Sequence, residues 1–236
     1  MSDVKRKNRM FGFITETWNP VVGCRHFCSY CWAKKQARRQ KNRCEFCYKF
    51  IPHIHWSRLN RKFKPNSLVF VCDMADLFGY WIPNEWIKEI LSVVSKFPET
   101  TFFFETKNPA RYHQFKELFP ENVILSATIE TNLDTIPSNH APSRYYRYVT
   151  FRELKGFRKH LSIEPIMIFD FDIFGAWILQ IEPEFVSIGY DNYNHRLNEP
   201  KLNDTLQLIE FLEEHGIKVE KKTLRKAWWE ENEAEM

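Results

Sequence analysis

Apolar runs and amphipathic stretches alternate along the chain, with clusters of polar residues between them. Ser67–Cys72 is a continuous run rich in β-branched and aromatic residues, which predicts a strand buried on both faces. Between Trp86 and Phe97, apolar residues at positions 86, 87, 90, 91, 94 and 97 share one face of a helix. The two patterns together predict a buried strand followed by an amphipathic helix.

The same succession of strand, polar tip and helix repeats about six times. Further strands are predicted at Phe11–Thr17, Thr101–Thr106, Asn122–Ile129, His160–Ile163 and Phe185–Ile188, with a short last strand at Ile217–Val219. Further helices are predicted at Trp32–Gln40, Pro109–Phe119, Phe171–Ile181 and Thr205–Glu214, the last one closed by Gly216. This alternation predicts the α/β class, with a parallel sheet and helices outside it. Charged or hydroxyl residues follow each strand, as expected of a functional edge.

The composition supports a sizeable core, because 44% of the 236 residues are hydrophobic and 16% are aromatic. We expect one domain over residues 1–236, with a basic cysteine-containing insertion at about 40–66 and an acidic tail at about 229–236. No apolar run approaches the ~20 residues of a membrane span. Membrane partners are therefore not expected.

Five of the six cysteines lie between positions 24 and 47. Residues 1–10 are basic and contain no apolar stretch of the kind that a secretory signal has. Dense cysteines in such a chain favour metal binding in a reducing cytoplasm over disulfides.

The charge is unevenly distributed along the chain. Residues 1–64 contain 16 Lys and Arg against three Asp and Glu, a net +13, whereas the remainder carries a net −9. This asymmetry favours an anionic partner, such as nucleic acid or phosphate, near the N-terminal third. The alternative is a solvated basic helix face, because a set of basic side chains would also keep a helix soluble: Lys34, Lys35, Arg38, Arg39, Lys41 and Arg43.

Cys24, Cys28 and Cys31 form the spacing C-x3-C-x2-C, with Tyr30 just before the third cysteine. Three thiolates on a short loop can supply three of the four iron ligands of a [4Fe–4S] cluster. A zinc site normally uses four protein ligands, and a disulfide scaffold suits a small secreted chain. The spacing therefore favours a cluster with one iron open to a small molecule.

This motif resembles the signature of the radical S-adenosylmethionine (radical SAM) superfamily. The resemblance implies a partial parallel (β/α)6 TIM-like barrel with the cluster loop after strand one, and it places Tyr30 against the SAM adenine. It further implies that one electron from the cluster cleaves SAM to methionine and a 5′-deoxyadenosyl radical, which abstracts hydrogen from a substrate. An electron donor such as ferredoxin or flavodoxin is then an expected partner.

Other segments carry the resemblance further. Thr106-Lys107 resembles the Thr-Lys of spore photoproduct lyases, in which the lysine reaches the SAM carboxylate, and Thr128 resembles the hydroxyl of their Ser-x-Asn element. The chain also resembles an uncharacterised phage and archaeal branch in three segments: residues 15–20, residues 73–78 and residues 162–165.

The expected SAM-contacting residues follow from these strand ends: Tyr30, Asp73, Thr106, Lys107, Thr128, Glu130 and Glu164. Asp73 is the candidate partner of the SAM amine, since the Gly-Gly-Glu often seen after strand two is absent. Asp73, Glu130 and Glu164 could instead cap helix N-termini. Tyr190, Asp191 and Tyr193 follow the sixth strand and are expected to face the substrate.

Cys44 and Cys47 form a second C-x2-C pair, and His53 and His55 follow within twelve residues. These residues could bind zinc or an auxiliary cluster, or they could be two cysteines and two surface histidines in a basic loop. We expect the H-x-H spacing to put the histidines on opposite sides of an extended chain. Only the two cysteines are therefore assigned to this second metal site.

Two functional hypotheses follow. The first is a radical SAM enzyme that acts on a nucleic acid base or nucleotide, with a protein or peptide as the alternative substrate. The second is a non-catalytic Fe–S or zinc module that binds nucleic acid through its basic third. Lys107 and the polar strand ends favour the enzyme, because a binding module needs no partner for a SAM carboxylate.

Overall fold

The computed structural model describes residues 11–134 and 140–230. The basic segment 1–10 and residues 231–236 of the expected acidic tail lie outside the described residues. The described residues form an α/β fold around a seven-stranded sheet in which each neighbouring pair is parallel. None of the described helices is both long and apolar enough to cross a membrane.

The strands are β1 (Glu16–Trp18), β2 (Val21–Val22), β3 (His53–Ile54), β4 (Leu68–Val71), β5 (Thr101–Thr106), β6 (Val123–Thr128), β7 (Arg158–Ile163), β8 (Phe185–Ile188) and β9 (Lys218–Lys221). The α-helices are α1 (Trp32–Ala37), α2 (Glu45–Lys49), α3 (Asn84–Val94), α4 (Arg144–Glu153), α5 (Phe171–Ile181) and α6 (Leu202–Glu214). Three 3₁₀ helices cover Arg38–Gln40, Trp56–Asn60 and Pro109–Leu118. The main sheet has the order β1-β4-β5-β6-β7-β8-β9, and β2 pairs with β3 in a separate antiparallel ribbon.

The predicted α/β alternation and the partial TIM-like barrel are confirmed. The six expected strands are present, and the short last strand is β9, which extends the sheet to seven. Strand β1 begins later than predicted, at Glu16, because residues 11–14 turn instead of extending. Helix α4 was not predicted, since its Arg- and Tyr-rich sequence lacks a clear apolar stripe.

The bottom of the sheet interior is filled by aromatic side chains. Phe11 and Phe13 come from the turn before β1 and pack against Phe70 and Phe103, which share the concave face of adjacent strands. Alternate residues of the same strands, such as Phe102 and Phe104, belong to the larger core on the helix side. The interior is therefore closed at its lower end and can be open only toward the C-terminal ends of the strands.

Segment 19–61 covers one side of that open end. The β2–β3 ribbon pairs Val21 with Ile54 and Val22 with His53. Helices α1 and α2 lie between the two ribbon strands in sequence, and Phe50 after α2 packs against Ala33 and Ala37 of α1. The cysteine-rich segment is thus a small layered unit placed against the functional edge of the sheet.

Candidate functional site

A cavity of about 670 Å³ opens at the C-terminal ends of the strands. It is lined by all three cysteines of the C-x3-C-x2-C motif and by residues at or just after the ends of six sheet strands. The predicted site residues in its lining are Tyr30, Asp73, Thr106, Lys107, Thr128, Glu164, Tyr190, Asp191 and Tyr193. The structure therefore brings together nearly all the residues that were predicted from separate strand ends.

The loop that carries Cys24, Cys28 and Cys31 leads from β2 into α1. Cys31 caps α1, with its Sγ accepting a hydrogen bond from the Lys34 backbone N–H at 3.3 Å. The Cys24 Sγ accepts a hydrogen bond from the His26 backbone N–H at 3.5 Å. Burial raises the pKa of all three thiols, to about 11 for Cys28. Three thiols on one wall of one cavity fit a cluster that takes three protein thiolates.

Gly23 permits the sharp entry into this loop. Its φ is +99°, and a Cβ atom there would lie 2.4 Å from the Ile51 carbonyl group. Its N–H donates to the Met74 carbonyl at 3.0 Å. The first cysteine is therefore held between the loop after β4 and the chain before β3.

A buried His26–Asp76 pair joins the cysteine loop to the sheet. His26 Nε2 lies 2.7 Å from Asp76 Oδ2, and Asp76 also accepts from Thr106 Oγ1 at 2.6 Å and from the Lys107 N–H at 2.8 Å. Burial alone would raise the pKa of Asp76, but these hydrogen bonds outweigh it and lower that pKa. This pair was not predicted: of the two carboxylates in the segment 73–78, only Asp73 was an expected site residue.

Glu130 is fully buried behind the cavity and is surrounded by cations. Its carboxylate accepts from Lys107 Nζ and Tyr30 OH, lies 3.0 Å from Arg147 and lies 3.5 Å from Arg144 Nε. Burial alone would raise the pKa of Glu130, but the three cations hold it well below its usual range. Glu130 therefore orients Lys107 and Tyr30; it is not among the residues lining the cavity.

Asp73 and Glu164 lie on the cavity wall and are held by side chains. Asn19 Nδ2 donates to Asp73, and Lys222 Nζ lies 2.8 Å from Glu164. Burial raises the pKa of both carboxyl groups. Among the described helices, the N-terminal caps are other residues, so the capping alternative for Asp73, Glu130 and Glu164 is wrong.

Polar residues continue below the mouth into the sheet interior. His160 Nδ1 lies 2.8 Å from Ser126 Oγ, and its Nε2 lies 2.9 Å from Ser187 Oγ. Burial, aided by nearby Lys222, lowers the pKa of His160 to about 3. Burial also raises the pKa of Glu105, in the cavity wall, to about 7. Glu105 was not predicted as a site residue; its position, directly before Thr106 on an inward-facing strand position, is the signal that could have identified it.

The loop after β8 provides the opposite wall. Asp191 accepts from the His195 backbone N–H at 2.6 Å and lies 2.8 Å from His195 Nδ1, so it organises its own loop. Lys35 Nζ lies 2.8 Å from His195 Nε2 and 5.0 Å from the centre of the half-exposed Tyr193 ring. The Tyr190 hydroxyl points away into α6, 2.7 Å from Thr205 Oγ1.

Cys44 and Cys47 lie at the start of α2, and His53 and His55 converge on them. The four ligand atoms all lie within 4.8 Å of one another. The expectation that the histidines point to opposite sides is wrong, because residues i and i+2 of an extended chain share a face. The H-x-H spacing is therefore the sequence signal that could have added both histidines to the second site.

Several solved structures are similar to this chain. A spore photoproduct lyase variant aligns with a TM-score of 0.65 at 9% identity, over 95% of this chain and 81% of that one. A lyase variant with a dinucleoside spore photoproduct aligns with a TM-score of 0.59 at 10% identity, over 89% of this chain and 64% of that one. SuiB of Streptococcus suis bound to S-adenosylmethionine aligns with a TM-score of 0.56 at 9% identity, over 87% and 49%. At these identities the similarity is one of fold.

The chain spans less than two thirds of the dinucleoside-bound lyase and about half of SuiB. No curated protein sequence matches it. One family model does match, and it covers residues 9–180, which include the cysteine loop, the second cysteine pair and strands β1 to β7. On that match, the chain belongs to the family described as Protein of unknown function (DUF5131).

Proposed function

We propose that this protein is a radical SAM enzyme that uses a [4Fe–4S] cluster and SAM to act on a nucleic acid base or nucleotide. The observation that carries the proposal is that Cys24, Cys28 and Cys31 line the same cavity as the polar strand ends. Spore photoproduct lyase and SuiB, which share the fold, are both radical SAM enzymes. When bound, the cluster and SAM would supply the hydrogen-abstracting chemistry that the motif implies.

The charges around the cavity support a SAM site. Lys107 lines the cavity and brings a positive charge to it, which favours an anionic group at that end. We assign the SAM carboxylate to Lys107, whose side chain is 12% exposed. Asp73, on the same cavity wall, is the candidate acceptor for the SAM ammonium.

The remaining predicted residues have supporting roles in this proposal. The Tyr30 ring, with its hydroxyl held by Glu130, presents a fixed aromatic face to the adenine. Thr106 and Thr128 line the cavity, with the Thr106 hydroxyl donating to Asp76. Glu164, Asp191 and Tyr193 also line the cavity, where they would face the substrate.

The surface beside the cavity supports a nucleic acid substrate. Residues 24–61 contain ten Lys and Arg against the single acid Glu45, and the side chains of Arg38, Arg39 and Lys41 are exposed. Exposed aromatic rings lie in the same segment: Phe27, Phe46, Tyr48 and Trp56. Positive charge interleaved with exposed rings suits a flexible strand, because the charges attract phosphates and the rings stack on bases.

A peptide is the second candidate substrate, because a SuiB structure bound to the precursor peptide SuiA shares the fold. The deciding experiment uses protein reconstituted anaerobically with iron and sulfide, reduced and given SAM. We expect 5′-deoxyadenosine to form, and to form faster with single-stranded DNA or tRNA than with a pool of basic and acidic peptides. Stimulation by peptides alone would assign the peptide class, and no 5′-deoxyadenosine under any condition would overturn the enzymatic proposal.

A further inference from the structure

Outside the cavity, Cys44, Cys47, His53 and His55 aim four ligand atoms at one point. Cys47 Sγ lies 3.2 Å from His55 Nε2 and 3.5 Å from His53 Nε2, and Cys44 Sγ lies 3.6 Å from His53 Nε2. The two histidine Nε2 atoms are 2.9 Å apart. All four residues come from one segment of twelve residues, so one local unit holds the whole group.

These separations match the edges of a small coordination tetrahedron. With Zn–S near about 2.3 Å and Zn–N near about 2.05 Å, a tetrahedral zinc ion keeps sulfur and nitrogen about 3.6 Å apart and two nitrogens about 3.3 Å apart. The observed 3.2–3.6 Å and 2.9 Å are close to these values. A multi-iron cluster needs room for iron and sulfide between its ligands, so the compact group fits a single ion better.

The orientation of His53 supplies an independent argument. Its Nδ1 lies 2.8 Å from the Ile51 carbonyl oxygen, which can only accept, so Nδ1 carries the proton. In the neutral ring, Nε2 then presents a lone pair to the centre of the group. A carbonyl on the outer nitrogen of a histidine is the arrangement that fixes metal-binding histidines in proteins.

We propose that Cys44, Cys47, His53 and His55 bind a structural Zn²⁺ ion that fixes the segment behind the Cys24–Cys31 loop. Four protein ligands complete the coordination of zinc and leave no position for a substrate. Two thiolates and two imidazoles are also a donor set that suits zinc better than magnesium or calcium. The ion is therefore a structural element and takes no part in the chemistry of the cavity.

The contacts of this segment show what the ion would stabilise. His53 pairs with Val22, two residues before Cys24, and Gly23 fits closely against Ile51. Phe50, which follows α2, forms a core cluster with Ala33 and Ala37, and Cys24 and Cys31 pack against that cluster. Zinc binding would therefore help to hold Cys24 and Cys31, two of the three cavity cysteines, in place. We expect loss of zinc to loosen the cysteine loop without unfolding the sheet, whose core is built elsewhere.

The first test measures zinc in a variant with Cys24, Cys28 and Cys31 all changed to Ala, so that the cavity cysteines cannot contribute. We expect about one zinc per chain, with X-ray absorption showing two sulfur and two nitrogen neighbours. Adding Cys44→Ser and Cys47→Ser should remove the zinc, whereas adding the buried control Cys72→Ser should not. Zinc that is absent, or that survives the double change, would overturn the site. Because this experiment needs neither cluster nor SAM, its outcome is independent of the proposed enzymatic function.

The second test measures amide hydrogen exchange in the protein with its native sequence, before and after a chelator removes the zinc. We expect exchange to rise at least severalfold in residues 44–55 and in residues 21–31, and to stay unchanged in β6 and β7. Faster exchange confined to residues 44–55 would retain the metal site and overturn the coupling to the cysteine loop. The measurement does not rely on a variant that has to fold.

Discussion

The two cysteine sites of this protein differ in how completely they could surround a metal. The Cys24–Cys28–Cys31 loop offers three thiols, all facing a cavity of about 670 Å³. The Cys44–Cys47–His53–His55 group offers four ligands within 4.8 Å of one another and none of them lines that cavity. An incomplete ligand set beside a cavity suits chemistry, and a complete one suits structure. Ligand count together with the neighbouring space, and not cysteine spacing alone, distinguishes the two sites.

The largest effect expected is a separation of the two metals. After anaerobic reconstitution, the wild type should contain about four iron and one zinc per chain. Cys28→Ala should lose the iron and keep the zinc, because the four zinc ligands all lie in residues 44–55. Metal analysis of both proteins checks this, and equal loss of iron and zinc in the variant would break the distinction between the sites.

Removing the zinc ligands should have only a partial effect on the iron site. Cys44→Ser combined with Cys47→Ser should remove the zinc, while iron still binds and is then lost faster than from wild type. The rate of iron release to a chelator measures this. A release rate equal to that of wild type would show that the two sites are independent.

Glu105, whose carboxyl group has a raised pKa, lies in the wall of the cavity that Cys24, Cys28 and Cys31 line. Burial raises the pKa of Glu105 from 4.5 to about 7, so the folded protein binds more protons than the unfolded chain between those values. Stability should therefore fall as the pH rises through this window, by roughly 3 kcal/mol at most. In the Glu105→Gln variant this decrease should disappear. Urea unfolding of metal-free protein at pH 5 and pH 8 measures it, and parallel pH dependence in the two proteins would contradict the raised pKa.

Lys107 is proposed to bind the SAM carboxylate at the Cys24–Cys28–Cys31 site without being a metal ligand. Lys107→Met should weaken SAM binding roughly tenfold to a hundredfold, the effect of losing a hydrogen bond to a charged group, and leave the iron content unchanged. The exposed Lys116→Met is the matched control. Equilibrium binding of SAM measures the effect; unchanged affinity would remove Lys107 from the SAM site, and loss of iron would give it a structural role.

The smallest effect expected concerns the basic surface of residues 24–61, the segment that also contains the zinc ligands. Changing Arg38, Arg39 and Lys41 to Ser should make the salt dependence of single-stranded DNA binding shallower, by about two units of slope for three phosphate contacts. Changing the exposed Lys88, Lys96 and Lys116 to Ser removes the same charge elsewhere and should leave the slope intact. If the salt dependence of DNA binding has the same slope in both triple variants, the basic surface is only a solvated helix face.

The periodic parts of this fold could be predicted from sequence. Strands β5 and β8 and helix α5 were predicted with their observed bounds, because an apolar run or stripe ends there at a polar residue or a turn. Helix α4 was missed because its buried face includes Arg144 and Arg147, which stay buried by pairing with Glu130. That pairing is a property of tertiary contact, and no local pattern reveals it.

The same limit applies to the candidate site. Nearly all the residues predicted from cysteine spacing and strand ends line the cavity, since parallel strands bring their C-terminal ends together. Spacing could not indicate that Asp76 would reach across fifty residues to His26, or that Glu130 would sit behind Lys107. Asp76 and Glu130 are both buried against cations or hydrogen-bond donors. These contacts depend on packing between elements that are distant in the chain.

The central claim is that the Cys24–Cys28–Cys31 site is open and holds a cluster with one iron available to SAM. Mössbauer spectroscopy of the ⁵⁷Fe-reconstituted protein, with and without SAM, tests this most directly. We expect a [4Fe–4S] spectrum in which SAM changes the signal of one iron of the four and leaves the other three unaltered. A protein that binds only zinc at these cysteines, or a cluster whose spectrum SAM does not change, would contradict it.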